Sequence, residues 1–120
     1  MIQGFERQTA PLNDYELNTL LPVIVRGLRT KIGAAKVITG AAIVRAMNGA
    51  GYKLDGPRLR KIINHIRMMG YVPCLVSTSN GYFVATSPAE VDECIASLQG
   101  RVDAIQANID ALVRQRQARW

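Results

Sequence analysis

Acidic residues are nearly missing from the middle of this 120-residue chain. Between Leu17 and Ala89 the one carboxylate is Asp55, against ten Lys or Arg. Metal-dependent nuclease chemistry, which needs clustered carboxylates, has no material there. Histidine occurs once, as His65, too few for a zinc site or a histidine-based catalytic pair, so no metal is expected. The two cysteines, Cys74 and Cys94, match neither a C-x-x-C spacing nor a disulfide framework, and they read as small buried apolar residues with free thiols. Long apolar runs are absent too: LLPVIV (20–25) stops at Arg26, far short of the ~20 residues of a membrane span. The opening MIQGFERQTAP has no apolar core of a secretory signal. A cytoplasmic protein without a membrane partner is the expectation. With no Gly-rich phosphate loop, nucleophile elbow or zinc spacing, neither an enzyme nor a cofactor is expected, and no small-molecule ligand is evident.

What is present is a concentrated charge. Residues 1–25 sum to −2, 26–67 to +9, 68–86 to zero and 87–120 to −1, which gives the net +6. A positive block of this kind is the footprint of a polyanion-binding face. Its densest part is DGPRLRKIINHIRMMG (55–70), a helix signalled at both ends: Asp55 as N-cap, Pro57 in the first turn and Gly70 as a left-handed stop. Leu59, Ile62, Ile63 and Ile66 cluster within about 100° of arc and predict the buried face. Lys61, Asn64 and Met68 fall opposite, flanked by Arg60 and Arg67 on one edge and by Arg58 and His65 on the other.

Around this helix the order of elements is regular. Residues 12–33 predict a first helix of about 18 residues, with Asn13 and Glu16 at capping-box spacing and a kink or break near 18–22 imposed by Pro22. VIT (37–39) predicts a β-bridge, Thr39 an N-cap, and GAAIVRAMN (40–48) a small Ala-rich helix. Beyond Gly70 the period changes to 2: YVPCLVS (71–77) and YFVATS (82–87) flank an Asn80-Gly81 pair, the signal of a type I′ hairpin. Ser87, Pro88 and Glu90 open a last helix, whose Val91, Ile95, Leu98, Val102, Ile105, Ile109 and Leu112 follow steps of 4, 3, 4, 3, 4, 3.

The fold class is therefore mainly α with a small β-hairpin (α+β), divided into an N-terminal extension (1–12), a core (13–86) and a C-terminal heptad helix (87–120). The order helix, short strand, helix, helix, hairpin, with YVPCLVSTSNGYFVAT as the hairpin, resembles the winged-helix DNA-binding superfamily over residues 13–86. The hairpin leading into SPAEVDECIASL also resembles small phage and prophage proteins with a long C-terminal helix. This resemblance implies a regulator or replication protein that places helix 55–70 in the major groove of double-stranded DNA. Lys61 and Asn64 have the donor chemistry for base edges, Arg58, Arg60 and His65 for backbone or base, and Arg67 for phosphate. Lys53, Thr39 and the hairpin-tip residues Ser79 and Asn80 are positioned for phosphate or sugar. The seam Val91–Leu112 predicts a homodimer, with packing onto the first helix of the same chain as the competing arrangement. A protein-interaction module on the same scaffold is the alternative reading.

Overall fold

The structure, a computed structural model, describes residues 10–120, so most of the 1–12 extension lies outside the described residues. The chain divides at 86/87 into two units.

The first unit begins with α1, a π-helical turn Glu16–Leu20 running into α-helix Leu21–Leu28. Asn13 and Glu16 cap it reciprocally: Asn13 N–H donates to Glu16 Oε1 and Glu16 N–H to Asn13 Oδ1, both at 2.9 Å. Pro22 has no N–H to donate, and the helix changes from π to α just ahead of it, at Leu20–Leu21. A single 3₁₀ turn, Ala34–Lys36, leads to α2 (Gly40–Gly49), capped by Thr39 Oγ1, which accepts from Ala42 N–H at 3.0 Å. Helix α3 (Gly56–Met69) starts at Asp55, which accepts from Arg58 N–H at 2.8 Å, and ends at left-handed Gly70. Its buried residues are Leu59, Ile62, Ile63 and Ile66, the four expected from the periodicity. With Leu20, Ile24 and Leu28 of α1 and Ile43 and Met47 of α2 they form the core.

Strands β1 (Leu75–Thr78) and β2 (Gly81–Val84) pair antiparallel, Leu75 facing Val84 and Thr78 facing Gly81. Ile38 bridges to Tyr82, exchanging hydrogen bonds of 3.0 and 2.8 Å, so the segment before α2 lies along the outer edge of β2. The fold is mainly helical with one small sheet, as the sequence implied.

Three local expectations need correction. The hairpin loop is Ser79-Asn80 rather than Asn80-Gly81, and neither loop residue has positive φ, so the turn is not type I′. Gly81 instead sits inside β2 at φ 126°, where a Cβ would run into the Ile38 carbonyl. Cys74 is exposed and Cys94 half-buried, so neither is a core residue, although both thiols are free. Cys74 closes the turn ahead of β1 at φ 60°, a left-handed conformation that costs a residue with a Cβ about 1–2 kcal/mol.

The second unit is one helix, α4 (Pro88–Arg119), whose cap Ser87 Oγ accepts from Glu90 N–H at 3.4 Å. Gln99 and Gln106 each donate to the aspartate four residues on, Asp103 and Asp110, at 2.9 and 2.8 Å.

Substituting Gly81→Ala forces a side chain against the Ile38 backbone in a strained conformation. It is expected to lower the unfolding free energy by more than about 2 kcal/mol in urea titration, whereas Gly49→Ala, with open space around it, should leave stability unchanged or raise it.

Candidate nucleic-acid interface

Helix α3 carries Arg58, Arg60, Lys61, Asn64, His65 and Arg67, and the structure sorts them by what already occupies them. Glu16 does most of the sorting. It is 3% exposed, on the buried side of α1. An ionised carboxylate in that position is costly unless it is paired and hydrogen-bonded. Lys61 Nζ donates to its Oε1 at 2.7 Å and Arg58 Nε to its Oε2 at 3.0 Å. Together with the Asn13 N–H, this gives Glu16 three donors.

Arg58 is held further. Its Nη1 donates to the Lys53 carbonyl at 3.0 Å, and its guanidinium lies 5.5 Å from the centre of the Tyr15 ring. Tyr15 Oη in turn accepts from Lys53 N–H at 2.8 Å. Arg67 points to the hairpin, donating from Nε to the Leu75 carbonyl at 3.1 Å and from Nη2 to Ser77 Oγ at 3.0 Å. The His65 ring is 5.9 Å from that of Tyr71, and its Nε2 is buried with no hydrogen-bond partner among the described residues.

The expected interface is corrected accordingly. Lys61, expected at base edges, is only 12% exposed along its side chain and neutralises Glu16. Arg58 does the same, and Arg67, expected on phosphate, ties α3 to β1. His65 Nε2 faces the interior. Helical arithmetic places Lys61 nearly opposite the core, but its long stem reaches around to the carboxylate.

Arg60, Asn64 and Lys53 remain. Arg60 is exposed at the start of α3, and Asn64, one turn further, is half-buried. Lys53 is exposed just before α3. Arg60 lines a depression with Gly40, Ala41, Gly56, Tyr82 and a residue that sequence reasoning passed over, Arg45 of α2. Arg45 is exposed, and its signal was available: it is a cation in the block whose one acid is Asp55, on the side of α2 away from Ile43 and Met47. Thr39, though it caps α2, is exposed beside Gly40, and Ser79 and Asn80 are exposed at the hairpin tip.

The depression lies between the first turns of two helices, whose positive dipole ends, capped by Thr39 and Asp55, face the two guanidinium groups. Neither helix contains a carboxylate, and the one acid beside the depression is Asp55, whose charge at the start of α3 offsets part of this field. Among the described residues no group of three or more His, Cys, Asp or Glu is placed to hold a metal ion. No described helix is long and apolar enough to cross a membrane. Comparison of the chain with family models, with curated proteins and with solved structures finds no match in any of the three.

The state of Glu16 sets a pH limit on this arrangement. Burial pushes its carboxyl up, but the Lys61 hydrogen bond, the Asn13 N–H, the Lys61 charge and the Arg58 hydrogen bond outweigh burial and hold it below its ordinary value. Since the folded value lies below the unfolded one of about 4.3, this stabilisation is complete above that unfolded value and is lost as pH falls through the folded value. Glu16→Gln is expected to cost about 3 kcal/mol at pH 7 by leaving two cations without their anion, and to flatten the loss of stability below about pH 4 seen in urea titrations of the unaltered protein. Equal slopes for both proteins in acid would refute the assignment.

Proposed function

We propose that the unit ending at Thr86 is a winged-helix module that binds double-stranded DNA, with the N-terminal half of α3 as its reading element. The observation that carries this is the pairing of Arg45 and Arg60 around one depression between the opening turns of α2 and α3, in a segment whose one acid is a helix cap. The resemblance in element order supports it independently. Arg58 and Lys61 of α3 are held by Glu16 and Arg67 by the hairpin, which leaves the exposed Arg60, the half-buried Asn64, and Met68 and Met69, 78% and 56% exposed, at its end.

Arg60 has the donor fork for guanine O6 and N7, and Asn64 the amide for adenine N6 and N7. Arg45, Lys53 and the Thr39 hydroxyl suit phosphates, as do Ser79 and Asn80 at the tip. The hairpin tip adds no cation, so it positions the duplex and supplies little of the affinity. The biological setting that fits is regulation or replication, as in the phage and prophage proteins the chain resembles.

Selection from randomised duplexes at about 100 mM salt tests the reading. Enrichment of a defined site is the expected result, and a pool that stays random overturns it. On the selected site, Arg45→Ala with Lys53→Ala should lower the steepness of the log affinity against log salt plot by about 2. Asn64→Ala should instead relax the preference at one base pair by about 1–3 kcal/mol and leave the slope alone. Lys61→Ala is expected to act through stability, with binding per folded molecule unchanged.

A further inference from the structure

The seam of α4 is exposed: Ile95, Leu98, Val102, Ile105, Ile109 and Leu112 are all 41–65% exposed. A second copy of this chain is the occupant that suits it, and charge fixes the orientation. We propose that α4 pairs with α4 of a second copy in antiparallel orientation. The inference does not rest on the DNA-binding reading.

Two features of the helix carry it. First, the charge at its two ends is segregated, with Arg101, Asp103 and Asp110 between them. Glu90, Asp92 and Glu93 lie in the first turns, and Arg114, Arg116 and Arg119 in the last. Second, the 4, 3 stepping does not stop at Leu112. The next two seam positions are Arg116 and Arg119. In a parallel pair each of these would meet its own copy across the seam, and the three acids would gather at the other end. In an antiparallel pair each arginine end meets an acidic end, and the helix dipoles oppose one another favourably.

The register follows from the same charges. Seam layers of Ile95 with Leu112, Leu98 with Ile109 and Val102 with Ile105, each made twice by symmetry, keep six of the seven apolar positions together. They set Val91 against the aliphatic stem of Arg116, with Asp92 beside the guanidinium. Sliding by one heptad toward the N-terminus would bring Glu90 against Asp110 and leave Arg116 beyond the end of the partner helix. The flanking positions raise no objection, since Gln99 would face Gln106 and Arg101 would face Asn108. β-Branched Ile95, Val102 and Ile109 at alternate seam positions suit two strands rather than more. They would serve a parallel pair equally, so the charges decide.

Full-length protein with Cys74→Ser and Cys94→Ser is the background for the test, with folding of every variant checked by circular dichroism. Two single-cysteine versions are made, Ile95→Cys and Leu112→Cys, and treated with a short thiol cross-linker separately and mixed. The mixed product is expected to dominate, with a dimer mass in sedimentation equilibrium for the unaltered chain. Self-linking of each variant without the mixed product, or a monomer at every concentration reached, overturns the proposal. A second measurement avoids the seam: Arg116→Glu with Arg119→Glu should raise the dimer dissociation constant about tenfold. An unchanged or tighter dimer, which a parallel pair gives, refutes it.

Discussion

One buried carboxylate constrains the rest of the first unit. Glu16 has almost no water around it, so the fold must bring cations to it, and they come from the helix whose positive charge is most conspicuous in the sequence. The arrangement adds little net stability over an apolar core, because desolvation offsets much of the attraction. Its effect is geometric. If α3 were rotated or slid along α1, Glu16 would lose its partners and keep its burial. Few other contacts in the unit penalise a shift so steeply, since Leu59, Ile62, Ile63 and Ile66 could exchange one apolar neighbour for another.

That constraint decides which charges face outward. Two of the four fixed cations of α3 neutralise Glu16, and a third, Arg67, binds the hairpin. The helix is therefore anchored to α1 near its start and to β1 near its end, and what remains accessible is held on a rigid element. Ionic contacts that recognise a ligand need such support, because a guanidinium on a loosely held helix would have to be ordered on binding. The positive block thus divides into a structural part and an outward part, and net charge alone does not distinguish them.

Local signals in the sequence were sufficient for most of the fold. Asn13, Thr39, Asp55 and Ser87 all cap where capping chemistry places them, because a cap involves only residues three or four apart. The apolar face of α3 was legible for the same reason. What failed depended on partners far along the chain. The hairpin loop moved by one residue because Gly81 is needed in the strand, where Ile38 approaches its backbone, and nothing near Gly81 in sequence announces that. The Glu16 pair joins residues more than 40 positions apart. A clue did exist: stepping back by four from Leu28, Ile24 and Leu20 lands on Glu16, which is buried, whereas its apolar neighbour Leu17 is 42% exposed. An acid on a buried stripe requires a cation, and the acid-free helix is the place to seek it.

The charge layout of α4 has a simpler competing explanation. Acids near an N-terminus and arginines near a C-terminus stabilise any isolated helix through its dipole, so segregation alone does not require a second helix. The dipole, however, acts on every residue of the last turn regardless of the side it faces. It accounts for Arg116 and Arg119 as cations of the last turn, and it gives no reason for these two to continue the phase of Leu112. A seam that ends in cations does have a reason if the facing surface is acidic at that height. The long stems of Arg116 and Arg119 also extend the apolar seam while their charged ends reach past it. Phase, more than composition, is thus the feature of this helix that a partner of opposite direction explains.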